Sequence, residues 1–120
     1  MSQNSQEYAT LEICVTTCSG ILPVKGAAVT VRYDGMSFDT DGQITTHVTD
    51  EDGRTQPFLV KMRRARIGGK DVDFPRNKGC SVSVKADGYV LCKARDIPIF
   101  SGITVKRSFD LLPISMKSDA

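Results

Sequence analysis

Apolar and polar residues alternate with a period of two in several separate stretches of this 120-residue chain. Over residues 10–16, Leu11, Ile13 and Val15 alternate with Glu12, Cys14 and Thr16. Val29, Val31 and Tyr33 alternate with Thr30 and Arg32, and Val82, Val84 and Ala86 alternate with Ser83 and Lys85. Near the C-terminus Val105, Phe109 and Leu111 share a parity, with the charged Arg107 as the exception. Successive side chains of a strand point to opposite faces, so each stretch predicts a strand with one face buried. Val and Thr add the β-branched stiffness that favours the pleated conformation.

Turn chemistry separates these runs. DGMS, TDGQ, DEDGR, ADGY and FSGI each set Gly beside Asp or Ser, the composition of tight turns. Turns recurring at this spacing predict an all-β fold, a single antiparallel β-sandwich of about seven strands. No stretch carries capped apolar spacing at three and four residues. The best helical candidate, LVKMRRARIGG at residues 59–69, is short and broken by Gly68 and Gly69. The boundaries expected from the pattern are a tail over residues 1–8, a sandwich over 9–114 and a second tail over 115–120, both tails frayed.

Composition narrows the class. With 40% hydrophobic and 25% charged residues the chain suits one globular domain, and without Trp its core must be largely aliphatic. No run reaches the roughly 18 apolar residues of a membrane span. The N-terminus, MSQNSQEYAT, has neither a basic start nor an apolar segment, so it does not read as a signal peptide. The expected location is the cytoplasm, or outside the cell by a non-classical route. The net charge of +2 is too small to imply a polyanion partner by itself. It is unevenly spread, however. Residues 61–78, within a long connection over 61–79, hold seven Lys/Arg against two Asp, while the rest of the chain holds nine against twelve Asp/Glu. Arg63, Arg64, Arg66, Lys70, Arg76 and Lys78 therefore form a candidate anion-binding set, for cell-wall polymer, an acidic protein surface or nucleic acid. Only Phe74 interleaves an aromatic, which disfavours nucleic acid. The competing reading is a solvated loop, or a hairpin whose charges protect its edges.

Other candidate chemistry is sparse. Cys14, Cys18, Cys80 and Cys92 do not have the two-residue spacing of a zinc knuckle, and the single histidine, His47, is remote from all four in sequence. Without an export signal the thiols are expected to be reduced, although four cysteines leave three disulfide pairings open. Parity turns Cys80 inward with Val82 and Val84, and turns Cys14 outward. His47 lies in a strand-like run with no nucleophile or orienting group at a recognisable spacing, so a rim position is expected. Asp39, Asp41, Asp50, Glu51 and Asp52 lack the ligand ladder of a calcium loop and read as turn residues. Neither a metal nor a cofactor is expected.

The order of these motifs resembles that of carboxypeptidase regulatory-like domains, relatives of the transthyretin-like (prealbumin-like) β-sandwich, of the kind seen in Gram-positive clostridial-type proteins. A first strand leads to P-V-x-G-A at Pro23, Val24, Gly26 and Ala27, and then to a second strand. T-D-x-x-G-x-T follows at Thr49, Asp50, Gly53 and Thr55, and A-x-G-Y at Ala86, Gly88 and Tyr89. Ile97, Ile99, Phe100, Gly102, Ile103 and Thr104, followed by Leu111, Leu112 and Pro113, match the ending of such domains. The resemblance covers about residues 10 to 114. It implies a prealbumin-like topology and a non-catalytic module that binds protein or cell-envelope polymer, with no catalytic residue to carry over. The expectation is therefore a structural or interaction module and not an enzyme. The alternative is a binder of anionic polymer through residues 61–78.

Overall fold

A computed structural model describes residues 8–33, 43–61, 64–67, 70–73 and 79–114. The strands are β1 (Tyr8–Thr17), β2 (Leu22–Pro23), β3 (Ala28–Tyr33), β4 (Gln43–Val48), β5 (Phe58–Lys61), β6 (Arg64–Ile67), β7 (Lys70–Asp73), β8 (Cys80–Lys85), β9 (Cys92–Ile97) and β10 (Thr104–Leu111). The fold is all-β, as expected. One sheet has β1 at its centre, with β10 on one side and β5 and β2 on the other. The second runs β4-β3-β8-β9, and β6 pairs β7 as a separate hairpin. The sandwich thus has eight strands, one of them the two-residue β2. Every pairing in it is antiparallel except β1 with β10, which run parallel from Thr10↔Thr104 to Thr17↔Leu111.

The alternation settles which faces meet. Ala9, Leu11, Ile13 and Val15 of β1 are buried, as are Val29, Val31 and Tyr33 of β3, Cys80, Val82 and Val84 of β8, and Phe109 and Leu111 of β10. Phe58 and Val60 of β5 join them while Leu59 stays exposed. The described part of residues 59–69, the best helical candidate in the sequence, is therefore strand: Phe58 and Val60 follow period two in β5, and Arg64–Ile67 pairs with Lys70–Asp73. The turns at residues 50–54, 86–89 and 100–103 form as expected, closed by Gly53 N–H to Asp50 O, Tyr89 N–H to Ala86 O and Ile103 N–H to Phe100 O. The DGMS turn and part of TDGQ lie outside the described residues.

The P-V-x-G-A and T-D-x-x-G-x-T motifs are one structural unit. Thr49 is buried, and its hydroxyl donates to Val24 O at 2.6 Å and accepts from Ala27 N at 2.9 Å. Its backbone completes the clamp, with Gly26 N to Thr49 O at 3.1 Å and Thr49 N to Ala27 O at 3.0 Å. A hydroxyl is needed because it can both donate and accept. Thr49→Val keeps the shape but orphans the Val24 carbonyl and the Ala27 amide. The expected loss is about 2–3 kcal/mol in urea unfolding. Stability unchanged within about 0.5 kcal/mol would show that the clamp is not needed.

Candidate functional site

The turn after Thr49 carries one wall of a groove into place. Asp50 accepts from Asp52 N at 2.9 Å and Arg54 N at 3.0 Å through one carboxylate oxygen. Those two amides, first Arg54 and then Asp52, hold its carboxyl below the usual aspartate range. The segment then lies along β1. Gly53 O accepts from Val15 N at 2.7 Å, Thr55 N donates to Ile13 O at 3.2 Å, and Arg54 stands opposite Cys14 in an antiparallel bridge. On the other side of β1 the parallel register sets Lys106 beside Glu12 and Ser108 beside Cys14. Even-numbered residues of β1 face away from the core, so these side chains collect on the outer face of the first sheet.

The result is a groove of about 450 Å³ lined by Glu12, Ile13, Cys14, Arg54, Thr55, Pro57, Lys106, Arg107 and Ser108. Its size falls within the range of small-molecule sites. The lining holds three cationic residues and one carboxylate; Arg54 and Lys106 share the outward face with Glu12, whereas Arg107, beside Ile13 in the register, has the opposite parity. Among the described residues no ion pair engages Arg54, Lys106 or Arg107; the salt bridge present joins Lys25 to Glu51 at 3.7 Å in exposed turns. The Thr55 hydroxyl is shut off from solvent and has no hydrogen-bond partner. The groove therefore offers positive charge and, in the exposed Pro57, some apolar surface.

The residues singled out in the sequence are scattered by comparison. Arg64, Arg66 and Lys70 lie on the β6–β7 hairpin, where the register sets Arg64 opposite Asp73, Arg66 opposite Asp71 and Lys70 opposite Ile67. Arg63, Arg76 and Lys78 lie outside the described residues, as do Asp39 and Asp41. His47 sits at the rim, its ring centroid 4.4 Å from that of Phe58. All four cysteines are free thiols in different settings. Cys80 is buried, and burial pushes its thiol up to about 11 against an opposing pull from Arg107. Burial also raises Cys92, while Cys18 is exposed and Cys14 half-buried in the groove. The groove itself escaped the sequence reading. Its residues come from three segments, 12–14, 54–57 and 106–108. The signals were the outward parity of Cys14 and the break of pattern at Arg107.

No family model matches the chain, and no curated protein matches it. Solved structures do match. Catechol 1,2-dioxygenase from Acinetobacter radioresistens aligns at a TM-score of 0.56 with 16% identity, over 92% of this chain and 54% of that one. The 3-chlorocatechol 1,2-dioxygenase of Rhodococcus opacus 1CP gives 0.56 and 10%, and the chlorocatechol 1,2-dioxygenase of Pseudomonas putida gives 0.53 and 13%, each over 94% of this chain and 62% of that one. The chain spans little more than half the length of these enzymes, and identities this low establish a shared sandwich. They nevertheless correct the expected role. The non-catalytic interaction module, with its alternative of a polymer binder at residues 61–78, was expected from the family resemblance and from the lack of a catalytic constellation. The matched sandwiches belong to enzymes. The expectation that the chain is not an enzyme falls with it.

Proposed function

We propose that the chain binds a small organic anion in the groove on the outer face of its first sheet. The observation that carries this reading is the meeting of Arg54 and Lys106 with one carboxylate, Glu12, around a cavity of about 450 Å³. A carboxylate-bearing ligand gains charge-assisted hydrogen bonds from Arg54 and Lys106. The exposed Pro57 suits a ligand with an apolar body, so an aromatic acid is the ligand class the lining favours.

The dioxygenases lend the scaffold to this reading, and their oxygen chemistry is not carried over. Dioxygen chemistry in enzymes is the work of a metal or a flavin. Among the described residues no group of three or more His, Cys, Asp or Glu side chains is placed to hold a metal ion. The chain's single histidine packs on Phe58. The described residues do not fit such a metal. The order of P-V-x-G-A, T-D-x-x-G-x-T and A-x-G-Y motifs supports the further reading of the scaffold as carboxypeptidase regulatory-like.

Benzoate is a suitable probe. Titrated into isotopically labelled protein, it should shift the amide resonances of Cys14, Arg54, Thr55 and Lys106. Lys106→Gln should weaken it about tenfold, with the spectrum otherwise folded. Shifts confined to residues outside the groove, or none at millimolar benzoate, would sink the reading.

A further inference from the structure

The groove holds a nucleophile that ion binding does not use. Cys14 lines it as a free thiol, with Arg54 across the antiparallel bridge and Ser108 beside it in the parallel register. Lys106 lies two residues back along the same outward face, beside Glu12. Thr55 also belongs to the lining, with its hydroxyl shut off from solvent. No other cysteine is placed this way. Cys80 is buried, and Cys92, half-buried like Cys14, packs against the core. Cys18 is the exposed thiol, and its surroundings carry the opposite charge. Ser19 N and Gly20 N, next to it in the chain, donate to the Asp110 carboxylate at 3.2 and 2.9 Å.

We infer that Cys14 is a site of mixed-disulfide formation with small anionic disulfides, the oxidised forms of acidic thiols, drawn in by the cations of the groove. The inference rests on the anion-binding reading and adds a covalent step to it. The carboxylates of the incoming disulfide settle on Arg54 and Lys106, which raises its concentration next to the thiol. Cys14 gives its proton to solvent, and its sulfur attacks one sulfur of the R–S–S–R bond. The new bond joins Cys14 to one half of the reagent. The S–S bond breaks, and the other half leaves as a thiolate that takes up a proton. One disulfide is consumed and one is made, so the incoming disulfide is the only oxidant needed. The product fills the groove, so modification and anion binding exclude each other.

Cys14 and Cys18 lie in opposite fields, which makes the test internal once Cys92 is replaced by Ser. In the Cys92→Ser background, Cys18→Ser leaves Cys14, and Cys14→Ser leaves Cys18, as the one thiol that is not buried. Each is reacted with 5,5′-dithiobis(2-nitrobenzoate), an anionic aromatic disulfide, and with uncharged 2,2′-dithiodipyridine, and the modified residue is located by peptide mass. The ratio of anionic to uncharged rate should be about tenfold higher at Cys14 than at Cys18. That advantage should shrink in high salt and in the added presence of Lys106→Gln. Equal ratios at the two thiols overturn the inference. Benzoate titration of the same Cys18→Ser protein separates the two levels. Benzoate bound in the groove with equal ratios removes the covalent step alone, and no benzoate bound with equal ratios removes the anion site beneath it.

Discussion

Phe58→Ala is expected to cost about 3–5 kcal/mol, a large share of the roughly 5–15 kcal/mol that holds a domain of this kind folded. Phe58 is 1% exposed and heads the largest fully buried side chains. It opens β5, stands opposite Leu11 on the central strand, and supports the ring of His47 from the second sheet. Truncation removes the transfer free energy of the ring and leaves a cavity that two paired sheets cannot close. Urea unfolding should show a lower midpoint with an unchanged slope, since the surface exposed on unfolding is nearly the same. The neighbouring Leu59→Ala is the control, because Leu59 is 63% exposed and should change stability by less than about 0.5 kcal/mol. If the two substitutions behaved alike, β5 would not be packed as described.

The second large effect belongs to a backbone position. Gly53 has φ +77°, and a Cβ there would overlap the carbonyl oxygen of Val15. Gly26 has nearly the same φ, +79°, but open space around the missing side chain. Gly26→Ala should therefore show the left-handed strain alone, about 1 kcal/mol. Gly53→Ala adds the collision and pushes away a segment whose carbonyl accepts from Val15 N. A total of about 3 kcal/mol or more is expected. It should also abolish benzoate binding in protein that remains folded, because Arg54 and Thr55 follow Gly53 directly into the groove wall. Equal losses for the two alanines in thermal unfolding would show that the collision is relieved without cost.

These effects mark what was legible in the sequence. Where one strand face is buried and the other wet, period two names the inward residues, and so Leu11, Val29, Val82 and Phe109 were identified from spacing. In β5 three consecutive apolar residues, Phe58, Leu59 and Val60, hide that period, so the spacing named no strand there. The partner of a strand is harder still. Parallel and antiparallel strands share one alternation, and β1 meets β10 across 94 residues, as in the Thr17 hydroxyl bond to Leu111 O. The groove depends on that pairing and on the separate approach of residues 53–55. A reading along the chain could flag Cys14 and Arg107 singly but could not bring them together. The role expected from the missing catalytic motif failed for a related reason: a scaffold is shared by proteins that do different things.

The parallel pairing also sets how the domain bears load. Because β1 and β10 run the same way, tension applied through the chain before Tyr8 and after Leu111 pulls the two strands in opposite directions along their length. The eight register pairs from Thr10↔Thr104 to Thr17↔Leu111 are then strained together in shear and do not peel one at a time. Set between two neighbours in a longer polypeptide, this sandwich would act as a mechanical clamp, with the floor of its groove as the part under tension.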